Sequence, residues 1–371
     1  MKLNVFHLER YFARHEFTAP YLLCTSDCES MPLGEVLALD PGAWERFSAL
    51  RLGYTESLGH PELRESIAGL YDHIPAQDIL VHAGAEEAIF NFMNVALEPG
   101  DHVVVHAPYY QSLGEVARGL GAEVSEWRGD PEKGLELEIS GLEEILSDRT
   151  KVVVVNFPHN PTGFLPAANF VYKLNQLSEA HGFIIFSDEV YRGLELDPAD
   201  RLPALADVNE RAVSLGVMSK TYGLAGLRIG WIATRNERIF QEMASFKDYT
   251  TICNSAPSEF LAQLALQHSQ SIVERNLQII RSNLDRLDQF FSDYADLFAW
   301  QRPRAGSIAF PRLLRGSVEA LCTDLREKAG VLLLPGTLYG PDYNAFRIGF
   351  GRKDLPQAVQ RFEKYLLAEQ F

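Results

Sequence analysis

Short apolar runs rich in β-branched residues recur along the chain, and most of them lack a regular alternation with polar positions. The runs lie at residues 102–106 (HVVVH), 151–156 (KVVVVN), 183–187 (FIIFS), 212–218 (AVSLGVM) and 227–233 (LRIGWIA). Strands that are buried on both faces of a sheet have this pattern, because neither face needs polar residues. The pattern therefore predicts a set of buried β-strands.

Helical patterns lie between these runs, at residues 87–97 and 167–181, so predicted strands alternate with predicted helices. This alternation is typical of an α/β fold in which a mostly parallel sheet lies between helices. Ligands of such sheets bind beyond the carboxyl ends of the strands. The loops that follow the predicted strands are therefore the first place to look for chemistry.

The rest of the chain predicts a second, smaller unit of α+β structure. Residues 258–298 have the pattern of a long amphipathic helix, residues 299–371 mix short strands and helices, and residues 5–16 predict an N-terminal helix. We therefore expect a large domain at residues 45–260. A small domain is expected from both termini, residues 1–44 and 261–371.

Composition and charge are those of a globular protein with no affinity for nucleic acid. Of the 371 residues, 46% are hydrophobic and 23% are charged, and the formal net charge is −16. Such a charge repels nucleic acid and anionic membranes on average. No apolar run is long enough to cross a bilayer, and the N-terminus lacks the apolar stretch of a signal peptide. We expect a cytoplasmic protein that binds neither nucleic acid nor membranes.

The chain has four cysteines, Cys24, Cys28, Cys253 and Cys322, and their spacing matches no zinc site. Cys24 and Cys28 could form a disulfide or half of a metal site, but reduced thiols are the expected state in a cytosolic protein. We therefore predict no metal and assign the cysteines no role.

The strongest candidate for chemistry is the segment VMSKTYGLAGLRIGW at residues 217–231. A predicted strand leads to Lys220, Gly223 and Gly226 permit a tight return, and Arg228 is expected to enter the next strand. The flanking segments are apolar, which favours two buried charges over two solvated charges beside a hairpin. A buried lysine with a lowered pKa can act as a nucleophile in Schiff-base chemistry, whereas a permanently charged arginine suits a phosphate.

Three further loops follow predicted strands and carry polar groups. In SDEVY, Asp188 could hold a cationic ring nitrogen, or it could be an ordinary acid at a helix start. In NFPHNPTG, Pro161 keeps Asn160 out of helical angles, so the amide of Asn160 has a defined place. In VHAGAEE, the backbone N–H groups of residues 84–86 could bind phosphate at a helix N-terminus, although a plain turn is the default interpretation.

Together these segments resemble the class I and II aminotransferases, a family of the fold-type I superfamily of pyridoxal 5'-phosphate (PLP) enzymes. The resemblance covers residues 53–352 through GYTES, AGAEEAI, APYY, NFPHNPTG, SDEVY, SKTYGLAGLRIGW and FRIGFGR, in the family's order and spacing. The sequence is also similar to the branch that includes capreomycidine synthase-like enzymes. The resemblance implies an α/β fold-type I PLP-dependent transferase.

The resemblance also implies a role for each matching position. Lys220 would form the Schiff base with PLP and move protons, Asp188 would face the pyridine nitrogen, and Arg347 would bind the α-carboxylate of the substrate. The other implied contacts are Tyr191 and Asn160 at the phenolic oxygen, Tyr110 against the ring, and Arg228 and the backbone of Gly84, Ala85 and Glu86 near the phosphate. Ser219, beside Lys220, is a further expected cofactor contact. Asn160 is also expected beside the substrate. Tyr54 would reach the phosphate of a neighbouring subunit, which implies a homodimer with shared active sites.

The match to the family is incomplete at Val217 and ambiguous between Tyr109 and Tyr110. The family often places a phosphate-binding serine three residues before the lysine, and this chain has Val217 there. Ser219 cannot be assumed to replace that serine, so we expect weaker cofactor binding or a compensating donor. Tyr109 is an alternative to Tyr110 for the ring contact, and Tyr110 could also be an ordinary core residue.

The reaction implied by the resemblance is transfer of an amino group between an amino acid and a 2-oxo acid. A PLP-dependent lyase or cyclase that eliminates a group from the β-carbon would share every residue named, and the sequence does not decide between the two. A non-catalytic PLP-binding regulator is disfavoured by the acidic charge and the lack of a basic helix-turn-helix segment. Side-chain selectivity is expected from the N-terminal segment, residues 247–254 and the partner subunit.

Overall fold

The structure is a computed structural model that describes residues 1–130 and 134–369. Its strands are β1 (Tyr21–Leu22), β2 (Ile79–His82), β3 (His102–Ala107), β4 (Glu123–Arg128), β5 (Thr150–Asn156), β6 (Ile184–Asp188), β7 (Val213–Val217), β8 (Gly230–Ala233), β9 (Phe298–Ala299), β10 (Ile308–Ala309), β11 (Arg312–Leu313), β12 (Val331–Leu332), β13 (Leu334–Pro335) and β14 (Phe346–Gly349). Its helices are α1 (His7–His15), α2 (Leu33–Leu37), α3 (Ala43–Ser48), α4 (Pro61–Ala68), α5 (Ala85–Ala96), α6 (Ser112–Leu120), α7 (Ile139–Glu143), α8 (Ala168–His181), α9 (Leu205–Val208), α10 (Glu237–Lys247), α11 (Ala256–Gln267), α12 (Ser269–Asp293), α13 (Val318–Ala329) and α14 (Leu355–Ala368).

The main sheet of the described residues has seven strands in the order β2-β8-β7-β6-β5-β3-β4. The pairs from β7 through β4 are parallel, and β8 runs antiparallel to both β7 and β2. The expected mostly parallel sheet between helices is therefore confirmed. Because β8 runs in the opposite direction, its amino end lies at the same edge as the carboxyl ends of the other strands.

Except for the edge strand β4, which is mostly exposed or half-buried, the strands of this sheet are buried on both faces, as their apolar runs predict. In β5, Val152 and Val154 belong to the hydrophobic cluster that contains helices α5 and α6, whereas Val153 and Val155 belong to the cluster that contains α8. Successive side chains of a strand point to opposite faces, so a run of valines supplies both layers. This burial fixes the sheet, and the chemistry is left to the loops at its edge.

Elements from both ends of the chain meet outside the main sheet. Strand β1 pairs in parallel with β12, and β14 pairs with β10 and β13. Helix α1 packs beside this region through Leu8, which shares a cluster with Leu332 and Leu334. The expected association of the two termini is therefore present, while the proposed domain boundaries remain a prediction.

The single long helix expected at residues 258–298 is wrong. Two helices, α11 and α12, occupy this stretch and are separated at His268, and Phe298 begins strand β9. Helix α11 packs against α2 and α4, whereas α12 packs against α14. The amphipathic pattern is continuous because both helices bury one face, but they bury it against different neighbours.

Two observations concern the expected location of the protein. No helix in the described ranges, 1–130 and 134–369, is long and apolar enough to cross a membrane. The four cysteines are free thiols, and Cys24, Cys28 and Cys322 are buried. The cytoplasmic location remains a prediction.

Candidate active site

A cavity of about 620 Å³ lies at the edge of the sheet where most strands end. Ten of the twelve predicted site residues line it: Ala85, Glu86, Tyr110, Asn160, Asp188, Tyr191, Ser219, Lys220, Arg228 and Arg347. Its other side is formed by the N-terminal wall, which we define as Glu9, Phe12, Glu16, Thr25, Ser26 and Asp27. The remaining predicted residues, Gly84 and Tyr54, do not line the cavity.

Lys220 follows strand β7 and projects toward the N-terminal wall. Its Nζ donates a hydrogen bond of 2.8 Å to Ser26 Oγ. Burial lowers the pKa of Lys220 below its ordinary value, although the Asp27 carboxylate acts in the opposite direction. The amine is therefore more easily deprotonated than an exposed lysine, as a nucleophile and base requires.

Asp188 is the last residue of strand β6, and its backbone is fixed from the neighbouring strand. Asn156 Nδ2 donates to the Asp188 carbonyl at 2.8 Å, and Asp188 Oδ1 accepts from the Val190 N–H at 3.2 Å. Burial raises the pKa of Asp188 from 3.8 to about 7, against the lowering effects of the Val190 N–H and Lys220. A cationic group opposite this carboxyl would favour its ionised form.

Tyr191 and Asn160 place uncommitted polar groups in the cavity wall. The Tyr191 hydroxyl is buried and has no hydrogen-bond partner among the described residues, and burial raises its pKa. The Asn160 N–H donates to Asn156 Oδ1 at 2.6 Å, and Asn160 Oδ1 accepts from Tyr339 and Arg347 at 3.3 Å. No described residue accepts from Asn160 Nδ2, so this group can donate to a bound oxygen.

Arg347 lies on strand β14, and only 2% of its surface is exposed. Its Nε and Nη2 donate to the Cys24 carbonyl at 3.1 and 2.9 Å, and its Nη1 donates to Tyr339 Oη at 3.1 Å and to Asn160 Oδ1. The Phe12 ring centroid is 5.5 Å from Arg347 Cζ. One of its five N–H groups remains uncommitted within the described chain, so a two-bonded carboxylate would displace one of these partners.

The expectation that Arg228 enters the next strand is wrong. Strand β8 begins at Gly230 opposite Val217, and Arg228 ends a 3₁₀ turn in the left-handed region with φ 52°. The residues before Gly230 are needed to close the turn from β7, so they cannot extend the ladder. The turn places the Arg228 guanidinium beside Gly84, where an added Cβ would lie 2.5 Å from Arg228 Nη2.

The start of helix α5 lies beside the Arg228 guanidinium, and the two together form a corner that contains Gly84. Gly84 is the N-cap with φ 90° and ψ 172°, a conformation that is essentially restricted to glycine. Free N–H groups at a helix N-terminus and a neighbouring arginine together form an anion site. Glu86 accepts from Ser112 Oγ at 3.1 Å, and burial raises the pKa of Glu86 to about 7.

The two tyrosines of APYY have different surroundings. Tyr110 lines the cavity and donates from its hydroxyl to Glu9 at 2.8 Å. Tyr109 does not line it, and its hydroxyl accepts from Arg118 at 2.7 Å. The structure thus places Tyr110, rather than Tyr109, at the cavity. Val217 and Ser219 both line the cavity as well.

Tyr54 is 92% exposed, far from the environment of a residue that serves its own cavity. Residues 247–254 also do not line the cavity of this chain. The roles predicted for these segments across a subunit interface therefore remain predictions.

Several residues of the site were not found from the sequence. Ser26 and the acidic residues of the N-terminal wall lie in a segment that matched no motif, although that segment was expected to influence selectivity. Tyr339, which bonds both Asn160 and Arg347, gave no sequence signal. Only the folded chain brings these residues to the cavity.

The fold and this cavity define a PLP-dependent enzyme of fold type I, and comparison with known proteins identifies its family. The family model for aminotransferase class I and II matches residues 43–362. The chain therefore belongs to the class I and II aminotransferases.

Individual relatives carry two kinds of names. The chain is 32% identical to capreomycidine synthase of Streptomyces vinaceus, over 92% of this chain and 88% of that protein. It is 27% identical to aspartate aminotransferase of Geobacillus stearothermophilus, over 85% of this chain and 84% of that protein.

Similar solved structures also include both an aminotransferase and a cyclase. A PLP-dependent aminotransferase from Streptococcus suis 89-1591 has a TM-score of 0.93 at 31% identity, covering 99% of both chains. The PLP-dependent cyclase OrfR in complex with Au has a TM-score of 0.90 at 27% identity, covering 100% of this chain and 98% of that chain.

The residues of the cavity fit PLP. The orphaned Tyr191 hydroxyl is a donor without an acceptor, and the corner beside Gly84 would be filled by a Cβ. The amine of Lys220 and the carboxyl of Asp188 have the chemistry required for an aldehyde and a cationic ring nitrogen. The cofactor of this enzyme is therefore pyridoxal 5'-phosphate.

Proposed function

We propose that this enzyme transfers an amino group between an amino acid and a 2-oxo acid. The observation that carries the proposal is the convergence of Lys220, Asp188, Tyr191, Asn160 and Arg347 on one cavity. They come from strands and loops far apart in sequence, and together they can bind a cofactor, a proton and a carboxylate.

We propose that each of these groups contacts a different part of the cofactor. Lys220 would hold PLP covalently, Asp188 would face its ring nitrogen, and Tyr191 with Asn160 Nδ2 would donate to its phenolic oxygen. Tyr110 would lie against the ring, and Arg228, Ser219 and the N–H groups of Gly84, Ala85 and Glu86 would surround the phosphate. When bound, PLP supplies an electron-accepting ring next to the substrate Cα.

Lys220 is the group of this chain that can move the proton at the substrate Cα. Its lowered pKa makes the neutral amine easier to form than in an exposed lysine, and the Ser26 hydroxyl gives that amine a fixed partner. General acid–base catalysis by one positioned group contributes roughly 10²- to 10⁴-fold. The ionised form of Asp188 would stabilise positive charge on the ring nitrogen while the proton is on Lys220.

Arg347 would bind the substrate α-carboxylate and so orient the Cα toward Lys220. Its buried position and its bonds to the Cys24 carbonyl fix the guanidinium plane before any ligand arrives. A carboxylate would replace Asn160 Oδ1 or Tyr339 as the acceptor on Nη1. Where Asn160 Oδ1 is displaced, Asn160 keeps its bond from Tyr339 but loses the one from Arg347, which couples substrate binding to the Asn160 side chain.

The proposed assembly is a homodimer in which Tyr54 reaches the phosphate of the partner's cofactor. Its support is the 92% exposure of Tyr54, together with the exposed Leu52, Tyr249 and Ile252. Large exposed apolar side chains of this kind are typical of association surfaces. Light scattering tests this part directly, because a monomer would contradict a shared site.

The test of the proposed reaction is an absorbance spectrum of the purified protein with a panel of amino acids. We expect a cofactor band near the visible edge that bleaches with one amino acid while a 2-oxo acid and the aminated cofactor accumulate. A protein that shows no such band, even after addition of PLP, would contradict the proposal.

A β-eliminating lyase or cyclase is a second candidate function. It is favoured by the relatives named capreomycidine synthase and PLP-dependent cyclase, at 32% and 27% identity. The cavity residues serve either reaction, because both begin with removal of the Cα proton. In the same experiment, ammonia or a cyclised product that accumulates while the cofactor band persists would identify this function and contradict transamination.

A further inference from the structure

The N-terminal wall contains carboxylates that the proposed function does not use. Helix α1 and its C-cap carry Glu9, Phe12 and Glu16, at spacings of three and four residues that place them on one helix face. All three line the cavity opposite the sheet edge. Phe12 lies against Arg347, so this face begins at the proposed carboxylate site.

The position of this face is fixed by contacts within the chain. The His7 N–H donates to Gln111 Oε1 at 2.9 Å, and Gln111 Nε2 donates to the Val5 carbonyl at 2.8 Å. Tyr11 Oη donates to the Leu333 carbonyl at 2.8 Å. The helix is thus held between the loop before α6 and the small sheet, with its acidic residues toward the cavity.

Among the described residues, no cation of the cavity forms an ion pair with Glu9 or Glu16. Lys220, Arg228 and Arg347 are committed by the proposed function to the cofactor, its phosphate and the substrate carboxylate. Asp27 has its own partner, because Arg352 Nη2 donates to Asp27 Oδ2 at 2.8 Å. The charges that remain are those of the glutamates on helix α1.

Glu16 and Glu9 have no cationic partner in the described part of the chain. No hydrogen bond or ion pair engages the Glu16 carboxylate there, and Glu9 accepts only from the neutral Tyr110 hydroxyl. Burial raises the pKa of Glu16, and the carboxylates of Asp27 and Glu9 raise it further, whereas the cations of Arg352 and Lys220 act in the opposite direction. Two half-buried carboxylates without an ion-pair partner would be stabilised by a cation bound in the cavity.

A second observation at the same wall also indicates a polar ligand. Thr25 lines the cavity and is 5% exposed, and its hydroxyl has no hydrogen-bond partner in the described residues. Buried polar groups are almost always paired in folded proteins. A ligand with several N–H donors would satisfy this hydroxyl together with the two carboxylates.

We propose that the N-terminal wall binds the cationic side chain of the amino-acid substrate, with Glu16 and Glu9 as its anionic ligands. The proposal rests on the proposed function, because Arg347 must hold the α-carboxylate for the side chain to lie toward α1. A guanidinium or an ammonium group has the required charge. The planar guanidinium can additionally form paired bonds to a carboxylate.

The test is a spectral titration of the PLP-loaded enzyme with L-arginine, L-ornithine, L-citrulline and L-aspartate. Citrulline is a neutral near-isostere of arginine, so the ratio of their dissociation constants isolates the side-chain charge. We expect arginine or ornithine to bind roughly 10- to 100-fold more tightly than citrulline, as charged hydrogen bonds allow. Comparison of the dissociation constants of arginine and ornithine then shows whether the site prefers a guanidinium or an ammonium group.

Three variants test whether the preference for arginine over citrulline depends on the N-terminal wall. Glu16→Gln and Glu9→Gln preserve shape and should each reduce the arginine-to-citrulline ratio at least about fivefold, with citrulline binding unchanged. Glu179→Gln, which removes an equal charge from an exposed position on helix α8, should leave the ratio unchanged. The cofactor band in each variant shows that the protein is folded and loaded.

The outcomes separate this proposal from the proposed function. A cofactor band that responds to citrulline or aspartate as strongly as to arginine would overturn the cationic site and leave the aminotransferase proposal intact. An arginine preference that survives both Glu→Gln substitutions would also overturn it. If no cofactor is bound, the proposed function fails, and calorimetry of the same protein with arginine and citrulline still decides the side-chain preference.

Discussion

The two sides of the cavity were built in different ways. The sheet edge presents Asp188 from the end of a strand and Asn160 and Lys220 from loops that follow strands, and each lies in a recognisable motif. The N-terminal wall presents Glu9, Glu16 and Ser26 from a segment without any motif, held there by contacts with distant parts of the chain. The sheet-edge residues lie within the stretch that the family model matches, residues 43–362, whereas the wall residues precede it.

This difference predicts that the sheet edge and the N-terminal wall affect different properties of the enzyme. Variants at the sheet edge should lose the cofactor or its reactivity, and variants in the wall should retain the cofactor and change substrate binding. Arg347 links the two sides, because it bonds both Asn160 and the Cys24 carbonyl. The following predictions test the division, from the largest expected effect to the smallest.

Lys220→Ala should abolish covalent attachment of PLP and reduce the rate by roughly 10²- to 10⁴-fold or more, because the base at the Cα is removed. Attachment is measured as the mass increase of the protein after borohydride reduction. The exposed Lys173→Ala on helix α8 is the matched control and should retain the full increase. A reduced adduct on Lys220→Ala would place the attachment site elsewhere and remove the basis of the comparison.

Asp188→Asn should change the pH dependence of stability of the cofactor-free protein. The folded pKa of about 7 lies above the ordinary value of 3.8, so stability contributed by the protonated form is complete below 3.8 and lost as pH rises through 7. This shift corresponds to at most about 4 kcal/mol. Asp188→Asn should not lose stability as pH rises over this range. Its free energy of unfolding at pH 8 should therefore exceed that of the wild type.

Urea denaturation of both proteins across this pH range measures the difference. With PLP bound the order should reverse, because the ring nitrogen stabilises the ionised carboxylate and asparagine cannot replace it. Parallel pH profiles for the two cofactor-free proteins would show that Asp188 is not held in an unfavourable charge state.

Gly84→Ala should weaken both the fold and phosphate binding. Its φ of 90° and ψ of 172° cost an alanine about 1–3 kcal/mol, and the new Cβ would contact the Arg228 guanidinium. Melting temperature and a PLP titration measure the two effects. Gly34→Ala, where no atom lies within 4 Å of the added Cβ, is the control and should gain about 0.5–1 kcal/mol. Unchanged PLP affinity in Gly84→Ala would exclude this corner as the phosphate site.

Ser26→Ala should have the smallest effect, because it belongs to the wall. The hydroxyl accepts from the Lys220 amine and favours its protonated form, so its removal should lower the pKa of Lys220 slightly further. The rate of PLP attachment against pH should shift to lower pH by less than about one unit. Loss of the cofactor from this variant would break the proposed division between wall and sheet edge.

Much of the sheet edge could be predicted because its determinants are local. The apolar runs of β3, β5, β6 and β7 predicted strands, and the residues after them had to meet at one edge of a parallel sheet. Arg228 lines the cavity beside Gly84, but the expectation that it enters the next strand was wrong. Its left-handed turn depends on where the pairing of β8 with β7 stops, and an apolar sequence does not show that point.

The sequence by itself determined the layered α/β core and which predicted site residues meet at one cavity, because burial pattern and strand direction fix which loops share an edge. Only the tertiary structure determined the N-terminal wall and the break between α11 and α12. Ser26 and Lys220 are 194 positions apart, and Cys24 and Arg347 are 323 apart. Contacts over such separations depend on the packing of whole elements, and no local periodicity in the chain encodes them.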